Sequence, residues 1–479
     1  MMKKYVIGRL FVAFFCTMFS LSSTAQTSLT RQQVCENIDS MVSLIEQVHP
    51  DPYARLSKKS FYKEVKKTKK RLPKGEISEL RAHLELSRLT ALFEQGHIWI
   101  NIEESLLKPD AKRFPYFSLF HVEHETHRLI LKHDTILGGI ALKKGDELLK
   151  INSLESRKLV EKALQHINGE RDFFRCQLLE KWGDLTDWLY LDMPEDIYHV
   201  KMNTRDGQKI LSLKALNEEE IQKLSVQDSP QKQTYREPYS YEMKNDSVMV
   251  FHFNKCVMEG FQEFKEFISK MFSRARSENV HHLIIDNRYN SGGDSNVCDE
   301  ICRYLTNRPF CACNKVVIRI SEPVRKEYRK EVEKFLEEHP QDTIDAEDLK
   351  VLAYPDTIFT YVESLENYCQ PYADSLRYTG KIYLLNSHYT YSSASWLAAI
   401  FKHYKIGTII GEETGGMNIT SGDIIYMNLP HPKFKLALPT KIYYFIGTDD
   451  NSPVHGILPD IPVPAEEAMD AAFKLIEGK

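Results

Sequence analysis

The sequence lacks an excess of charge of either sign. Its 479 residues include 63 Lys and Arg against 67 Asp and Glu, which gives a formal net charge of −4. A nucleic-acid-binding domain usually carries a strong basic surplus, so we expect no nucleic-acid partner. Long apolar runs are also missing beyond the first residues, although 42% of the residues are hydrophobic, as in ordinary globular proteins. We therefore expect no stable membrane span in the mature chain.

The N-terminal segment has the pattern of an export signal. Three basic residues precede an apolar run at 10–21, which is too short to span a bilayer comfortably. Small residues follow, and we predict that residues 1–25 form a signal peptide cleaved after Ala25. The expected location is the periplasm or the outside of the cell. An uncleaved N-terminal anchor is the alternative.

The sequence also lacks the spacings that are typical of metal sites. Eight of the nine cysteines remain after cleavage, and about 105 pairings are open to them, so no disulfide pattern can be derived. The pairs Cys298 with Cys302 and Cys311 with Cys313 do not have the two-residue spacing that zinc sites favour. The HVEHETH segment at 121–127 is one residue short of the His-Glu-x-x-His helix motif and is predicted to be a strand. We expect no metal and no cofactor.

Periodicity divides the chain into several parts. Residues 26–105 are mainly helical in pattern, and 106–215 have the short strands of a small β module. A polar linker is expected at 216–238. In 239–479, buried strands alternate with helices, which indicates an α/β fold with a mainly parallel sheet. A charged, largely helical insertion at 324–372 is predicted to cover part of that sheet, and it has the character of a lid.

Two stretches of the α/β part follow buried strands at the sheet edge where sites usually form. One is the loop at 286–293, and the other is the turn that leads to Ser392 and Ser393 at the start of a helix. A serine at a helix start is usually an N-cap, and it becomes a nucleophile only with a neighbouring base. His97, at a predicted helix-to-strand junction, is a candidate for that base; the simpler interpretation is a buried structural histidine.

Four segments of the α/β part resemble, in the same order, the motifs of the C-terminal-processing (tail-specific) serine peptidases. DNRYNSGG at 286–293 resembles "DlRnNgGG", and TYSSAS at 390–395 resembles the nucleophile motif "T-x-S-A-S/A-E". GEETGG at 411–416 resembles "GExTxG", and GILPDI at 456–461 resembles "GVxPDi". In the small β module, residues 144–153 resemble the "kGDeIlkINg" run of PDZ modules.

The resemblance implies an architecture and a set of site residues. It implies a helical N-terminal domain, a PDZ-like module and a ClpP/crotonase-like α/β protease core. The nucleophile would be Ser392, with Ser393 as the second choice. The oxyanion hole would comprise backbone N–H groups of the Gly292–Gly293 loop and of Ser393. A PDZ module binds an extended peptide by adding it to a sheet edge, so Gly145, Asp146 and Leu148 become candidate peptide-binding residues.

The sequence departs from the family motifs at the general base. One branch of the family uses a lysine after "GExTxG", but Met417 occupies that place here. The tricorn-core-like branch uses a histidine from a "DGHT"-like segment, and QGHI at 95–98 is similar to it. The resemblance thus favours His97 as the base and the tricorn-core-like branch as the closer one. That branch also has an acidic residue before the last motif, for which Asp449, Asp450 and His455 are candidates and Asp450 is the preferred acidic partner. Ser395 replaces the glutamate of the nucleophile motif.

These features predict an exported serine endopeptidase that acts on peptides or unfolded proteins. A catalytically inactive, PDZ-containing peptide-binding protein of the same fold is the alternative. It is motivated by the four departures from the motifs, which are Gln95, Ile98, Ser395 and Met417. Hydrolysis of a non-peptide ester is a third hypothesis, because the same nucleophile could support it.

Overall fold

The computed structural model describes residues 28–102, 112–181, 184–217, 219–221, 237–338, 352–431 and 434–478. The predicted signal peptide, most of the predicted linker and part of the predicted insertion lie outside these ranges. Among the described helices, none has both the length and the apolar character needed to cross a membrane.

The first part of the chain is a helical unit. Its elements are β1 (Ser28–Leu29), α1 (Arg31–Val48), α2 (Lys58–Arg71), β2 (Ile77–Ser78), α3 (Glu79–Ala91) and β3 (Trp99–Ile102). A capping box between Thr30 and Gln33 starts α1, and one face of that helix is buried at helical spacing. This face packs with α2 and α3 and with residues from a sheet of the C-terminal part.

The second part is a β module with three helices. Its strands are β4 (Phe120–Glu123), β5 (Arg128–Leu131), β6 (Thr135–Leu137), β7 (Ile140–Leu142), β8 (Glu147–Ile151), β9 (Leu154–Glu155), β10 (Ile197–Thr204) and β11 (Gly207–Lys214). Its helices are α4 (Ser156–Leu164), α5 (Asp172–Lys181) and α6 (Asp184–Asp192). The main sheet has the order β11-β10-β8-β5-β4, with β8 at its centre. HVEHETH is only partly a strand, because β4 ends at Glu123 and a turn follows.

The third part is the α/β unit. Its strands are β12 (Tyr239–Asn245), β13 (Val248–Phe253), β14 (His282–Asp286), β15 (Cys313–Ile320), β16 (Thr357–Val362), β17 (Lys381–Asn386), β18 (Thr408–Gly411), β19 (Ile419–Asn428), β20 (Phe434–Phe445) and β21 (Ile461–Pro462). Its helices are α7 (Phe261–Ser277), α8 (Ser295–Leu305), α9 (Glu322–Glu338), α10 (Ser393–Tyr404) and α11 (Ala468–Ile476).

One sheet of this unit confirms the predicted α/β class. It has the order β12-β13-β14-β17-β18-β21, and every pair after β12–β13 is parallel. Its central strands, β13, β14, β17 and β18, are largely buried because helices cover both faces, with α7, α8 and α10 on one side and α11 on the other.

A second sheet connects the helical unit to the α/β unit. It has the order β16-β15-β20-β19, and β3 pairs antiparallel with β20. The predicted insertion is therefore not helical throughout: α9 is followed by β16, which extends this sheet as an edge strand. The pairing of β3 fixes the turn that precedes it, which contains His97.

Candidate active site

The candidate site forms where two neighbouring parallel strands, β14 and β17, end. The loop at 287–293 and the turn at 387–392 leave the same edge of the sheet. Hydrogen bonds join them: the Thr390 hydroxyl donates to the Asn287 carbonyl at 3.0 Å, and the Asn287 amide donates to the Ala394 carbonyl at 3.1 Å. The two segments therefore form one rigid floor under the site.

Ser392 occupies an unusual backbone position at the end of this turn. Its φ is 53° and its ψ is −127°, which is strained for a residue with a β-carbon. It is the residue before α10, yet its side chain makes no capping hydrogen bond, so the N-cap explanation does not account for it. The neighbouring Ser393 hydroxyl donates to the Gly293 carbonyl at 2.7 Å. The geometry thus leaves Ser392 as the serine whose hydroxyl faces a base.

The candidate base beside Ser392 is His97, which lies in the buried turn between α3 and β3. Its Nε2 is 3.2 Å from Ser392 Oγ, although the two residues are 295 positions apart. Burial lowers the pKa of His97 to about 4, and the charge of Asp423 opposes this effect. Because the imidazole is neutral at neutral pH, it can accept a proton from the serine.

A hydrogen-bonded relay extends from the other side of the imidazole. His97 Nδ1 is 3.0 Å from the Tyr391 hydroxyl, which lies 3.0 Å from Glu170 Oε1 and 3.2 Å from Oε2. The phenol donates to the carboxylate, so its oxygen accepts from Nδ1–H. Nε2 is then unprotonated and can accept the Ser392 proton. The tautomer that catalysis requires follows from this chain of bonds.

The protonation states of the relay follow from its surroundings. Burial and the neighbouring Glu170 raise the pKa of Tyr391 well above its usual value, so the phenol keeps its proton. Burial also raises the pKa of Glu170, while the Gly96 N–H at 3.2 Å, the Tyr391 hydroxyl and the charge of Arg55 stabilise the carboxylate. The carboxylate is therefore held by donors on two sides.

Aromatic stacking holds the phenol between the two groups it bridges. The Tyr391 ring stacks on Phe174 with centroids 4.2 Å apart and on His97 with centroids 4.9 Å apart. Sequence reasoning missed both Tyr391 and Glu170. The glycine before His97 is the one trace of the phenol in the sequence. A β-carbon on Gly96 would lie 2.3 Å from the Tyr391 hydroxyl oxygen, so a larger residue would collide with it.

The predicted oxyanion residues surround Ser392. Among the hydrogen bonds of the described residues, the Gly292 N–H donates to Asn290 Oδ1 at 2.9 Å, whereas the N–H groups of Gly293 and Ser393 have no protein acceptor. A β-carbon on Gly292 would lie 2.7 Å from Ser392 Cβ, so this loop must be glycine to approach the serine so closely. The N–H groups of Gly293 and Ser393 are therefore free to bind an oxyanion, whereas the Gly292 N–H is occupied within the loop.

Two carboxylates other than Glu170, those of Asp450 and Asp423, differ in their relation to His97. Asp450 lies in an exposed loop, where its carboxylate is 2.5 Å from Lys315 Nζ, so the structure does not bring it to His97. Asp423, which forms an ion pair with Lys441, acts on His97 through its charge. The acid that the relay connects to His97 is Glu170, from the turn before α5.

The candidate peptide-binding residues do not lie at an open strand edge. Gly145 has a φ of 93° and belongs to the turn before β8, where the Asp146 carboxylate accepts the Lys143 N–H at 2.8 Å. Leu148 is fully buried in β8, between β5 and β10. A peptide cannot be added to a strand that is already paired on both sides. These residues therefore shape the module and do not offer a free edge.

The departures from the peptidase motifs also have structural roles. Met417 is fully buried and forms a β-bridge with Gly456, so its side chain packs in the interior. The Ser395 hydroxyl donates to the Thr390 carbonyl at 3.1 Å and supports the turn before the nucleophile. Neither residue is needed as a proton acceptor once His97 lies beside Ser392.

Comparison with known proteins finds a family match for part of the chain. Residues 252–463 match the model of peptidase family S41. The crystal structure of mature CPAF has a TM-score of 0.60 and 14% identity, covering 93% of this chain and 96% of that chain. A CPAF mutant gives 0.62 and 12%, covering 94% and 96%. The photosystem II D1 C-terminal processing protease gives 0.44 and 11%, covering 91% and 94%.

The matched segment contains the four sequence motifs that carry the resemblance. It includes the loop at 286–293, the turn at 390–395 and the two later motifs at 411–416 and 456–461. The likeness to CPAF is one of fold, and it extends over the helical unit and the β module as well. The expected resemblance to this family is confirmed over residues 252–463, while the branch stays a prediction.

Proposed function

We propose that this chain is an active serine peptidase in which Ser392 is the nucleophile and His97 the general base. The observation that carries the proposal is the 3.2 Å contact between His97 Nε2 and Ser392 Oγ. The relay behind the imidazole supports it, because Tyr391 and Glu170 hold the proton on the nitrogen that faces away from the serine.

The mechanism follows from the positions of these groups. Ser392 Oγ attacks the carbonyl carbon of the scissile bond as its proton moves to His97 Nε2. The N–H groups of Gly293 and Ser393 stabilise the oxyanion that develops. The imidazolium formed is stabilised through Tyr391 by the Glu170 carboxylate, and it then gives its proton to the leaving amine. Water then hydrolyses the acyl-enzyme: His97 accepts a proton from the attacking water and returns it to Ser392 Oγ.

Peptide bonds in peptides or unfolded proteins are the proposed substrates. The alternative, an inactive peptide-binding protein, would require that no histidine be placed to accept the proton of the serine. The described contacts favour catalysis, since His97, Tyr391 and Glu170 form an unbroken path from the serine. A non-peptide ester would use the same nucleophile, and relative turnover of matched amide and ester substrates distinguishes the two reactions.

Labelling with a fluorophosphonate probe tests the proposed nucleophile and base. Wild-type protein is expected to be labelled, Ser392→Ala to lose labelling and His97→Ala to be labelled far more slowly. Ser393→Ala is the matched control, because it removes a hydroxyl from the adjacent residue, and it should keep labelling. Folded wild-type protein without labelling would refute the activity, and loss only in Ser393→Ala would move the nucleophile by one residue.

Export is also part of the proposal. The basic start, the apolar run at 10–21 and the small residues before Gln26 support a cleaved signal. Mass spectrometry of the chain from the periplasm or the medium should find Gln26 as its first residue. An intact N-terminus on membrane-bound protein would instead support the uncleaved anchor.

A further inference from the structure

Three side chains that commonly bind metals converge where α5 packs against the turn at 124–127. They are His127, Asp172 and Cys176, and their ligand atoms all lie within 4.8 Å of one another. Asp172 and Cys176 are one helical turn apart on α5, so they share a face. Cys176 is only 1% exposed, His127 is half-buried and Asp172 is at the rim.

The Asp172 carboxylate is held between the His127 ring and the Arg175 guanidinium. His127 Nε2 is 2.7 Å from Asp172 Oδ2, and Arg175 donates to the other oxygen of that carboxylate at 3.1 Å. A hydrogen bond to the outer oxygen of a metal-binding carboxylate fixes its direction, as is usual around metal sites.

We propose that His127, Asp172 and Cys176 bind a zinc(II) ion, with water as the fourth ligand. Imidazole nitrogen, carboxylate oxygen and thiolate sulfur are the ligands that zinc prefers. Bonds of about 2.0–2.3 Å in a tetrahedron place ligand atoms roughly 3.3–3.8 Å apart. The histidine–aspartate contact of 2.7 Å would lengthen by about 0.6 Å, and the Cys176 sulfur already lies within 4.8 Å of both partner atoms. Binding converts the Cys176 thiol to thiolate and releases its proton to solvent.

The sequence could not reveal this site, since its ligands come from separate segments. HVEHETH suggests a local cluster, yet its other two histidines have different neighbours. His121 Nδ1 lies 2.7 Å from Glu180, and the His124 ring packs edge-on against His388. Of the three histidines, His127 is the one whose ring nitrogen lies near both Asp172 and Cys176.

The proposed ion would fasten the turn after β4 to the helix that supports the relay. Glu170 lies two residues before α5, and Phe174 on that helix stacks on Tyr391. Zinc would therefore restrict the movement of the carboxylate and of the phenol in the active site. This consequence for catalysis rests on the proposed function; the zinc site itself does not.

The test measures zinc binding by the full-length, metal-free protein. Isothermal titration with zinc chloride should give one equivalent per chain, with release of a proton. His127→Gln, Asp172→Asn and Cys176→Ser should each weaken binding by at least about tenfold. His133→Gln is the control, because it removes an exposed histidine from the same module and should bind as wild type. Wild-type protein without stoichiometric zinc, or Cys176→Ser with unchanged affinity, would overturn the proposal.

Cobalt(II) gives a readout that needs no variant. Bound to wild-type protein, it should show the thiolate-to-metal charge-transfer band of a cysteine ligand; its absence from a stoichiometric cobalt complex would also refute the site. Fluorophosphonate labelling separates this proposal from the peptidase activity. If the protein binds zinc but is not labelled, the zinc proposal stands and the peptidase proposal is refuted. If the protein is labelled but does not bind zinc, the peptidase proposal stands and the zinc proposal is refuted.

Discussion

The relay makes Tyr391→Phe the most informative substitution in the active site. The change removes one oxygen and leaves the ring that stacks on Phe174 and His97. His97 Nδ1 and the Glu170 carboxylate both lose their partner at 3.0 Å. The imidazole can then carry its proton on Nε2, the nitrogen that faces Ser392, where it cannot act as a base.

The expected magnitudes follow from the two lost hydrogen bonds. A hydrogen bond to a charged group contributes about 1.5–3 kcal/mol, and the buried Glu170 would retain the Gly96 N–H as a donor. We expect the free energy of unfolding to fall by about 1–3 kcal/mol. The loss of the correct tautomer should lower kcat/KM by roughly 10²–10³-fold, which is about 2.7–4 kcal/mol in the activation free energy.

The assay is kcat/KM on a fluorogenic peptide, together with the rate of fluorophosphonate labelling and thermal unfolding. Tyr383→Phe is the matched control, because it removes a hydroxyl from β17 that lies 3.4 Å from His282, outside the relay. The control should keep wild-type kinetics. Tyr391→Phe with wild-type kcat/KM and an unchanged labelling rate would refute the relay, since a phenylalanine cannot connect Nδ1 to the carboxylate.

Other predictions concern the same network and the buried histidines. Glu170→Gln keeps the shape but removes the charge that stabilises the imidazolium, so kcat should fall by about tenfold or more while KM changes little. Gly96→Ala should lower kcat/KM, because the added β-carbon would lie only 2.3 Å from the Tyr391 hydroxyl oxygen and would push that hydroxyl out of the relay. The pH profile of kcat/KM should lose activity on the acid side near pH 4 and not near 6.5, because burial lowers the pKa of His97 to about 4 and only the neutral imidazole is a base. Burial also lowers the pKa of His49 and His83 to about 4, so the unfolded chain binds more protons below pH 6.5; chemical denaturation should show a loss of up to about 3 kcal/mol per histidine between pH 6.5 and 4.

The local patterns of the sequence were sufficient to predict the α/β class and the position of Ser392. Both depend on short-range signals: buried runs such as 283–285 and 382–385, and the glycines that allow a loop to approach the nucleophile. The motif at 95–98 similarly predicts a role for His97. The contact of His97 with Ser392 depends on the pairing of β3 with β20.

The acidic partner could not be predicted in the same way. Asp450 is a candidate from the sequence because it lies close to a motif, but its carboxylate is paired with Lys315 in an exposed loop. Glu170 precedes a helix of a different part of the chain and has no motif around it. Its role depends on packing over 221 positions, through the Tyr391 hydroxyl, and no periodicity or spacing encodes such a contact.

The assembly of the site from three parts of the chain has a physical consequence for its regulation. The proposed nucleophile and the phenol belong to the α/β unit, the proposed base follows the helical unit, and the carboxylate comes from the β module. A lysine base at position 417 would instead have kept the proton acceptor within the α/β unit, but Met417 is buried there. Any movement that separates α5 from the turn before α10 therefore removes Glu170 and Phe174 from Tyr391 together, and His97 loses the partner that sets its tautomer. Catalysis should thus depend on the docking of the β module as steeply as on the catalytic groups themselves.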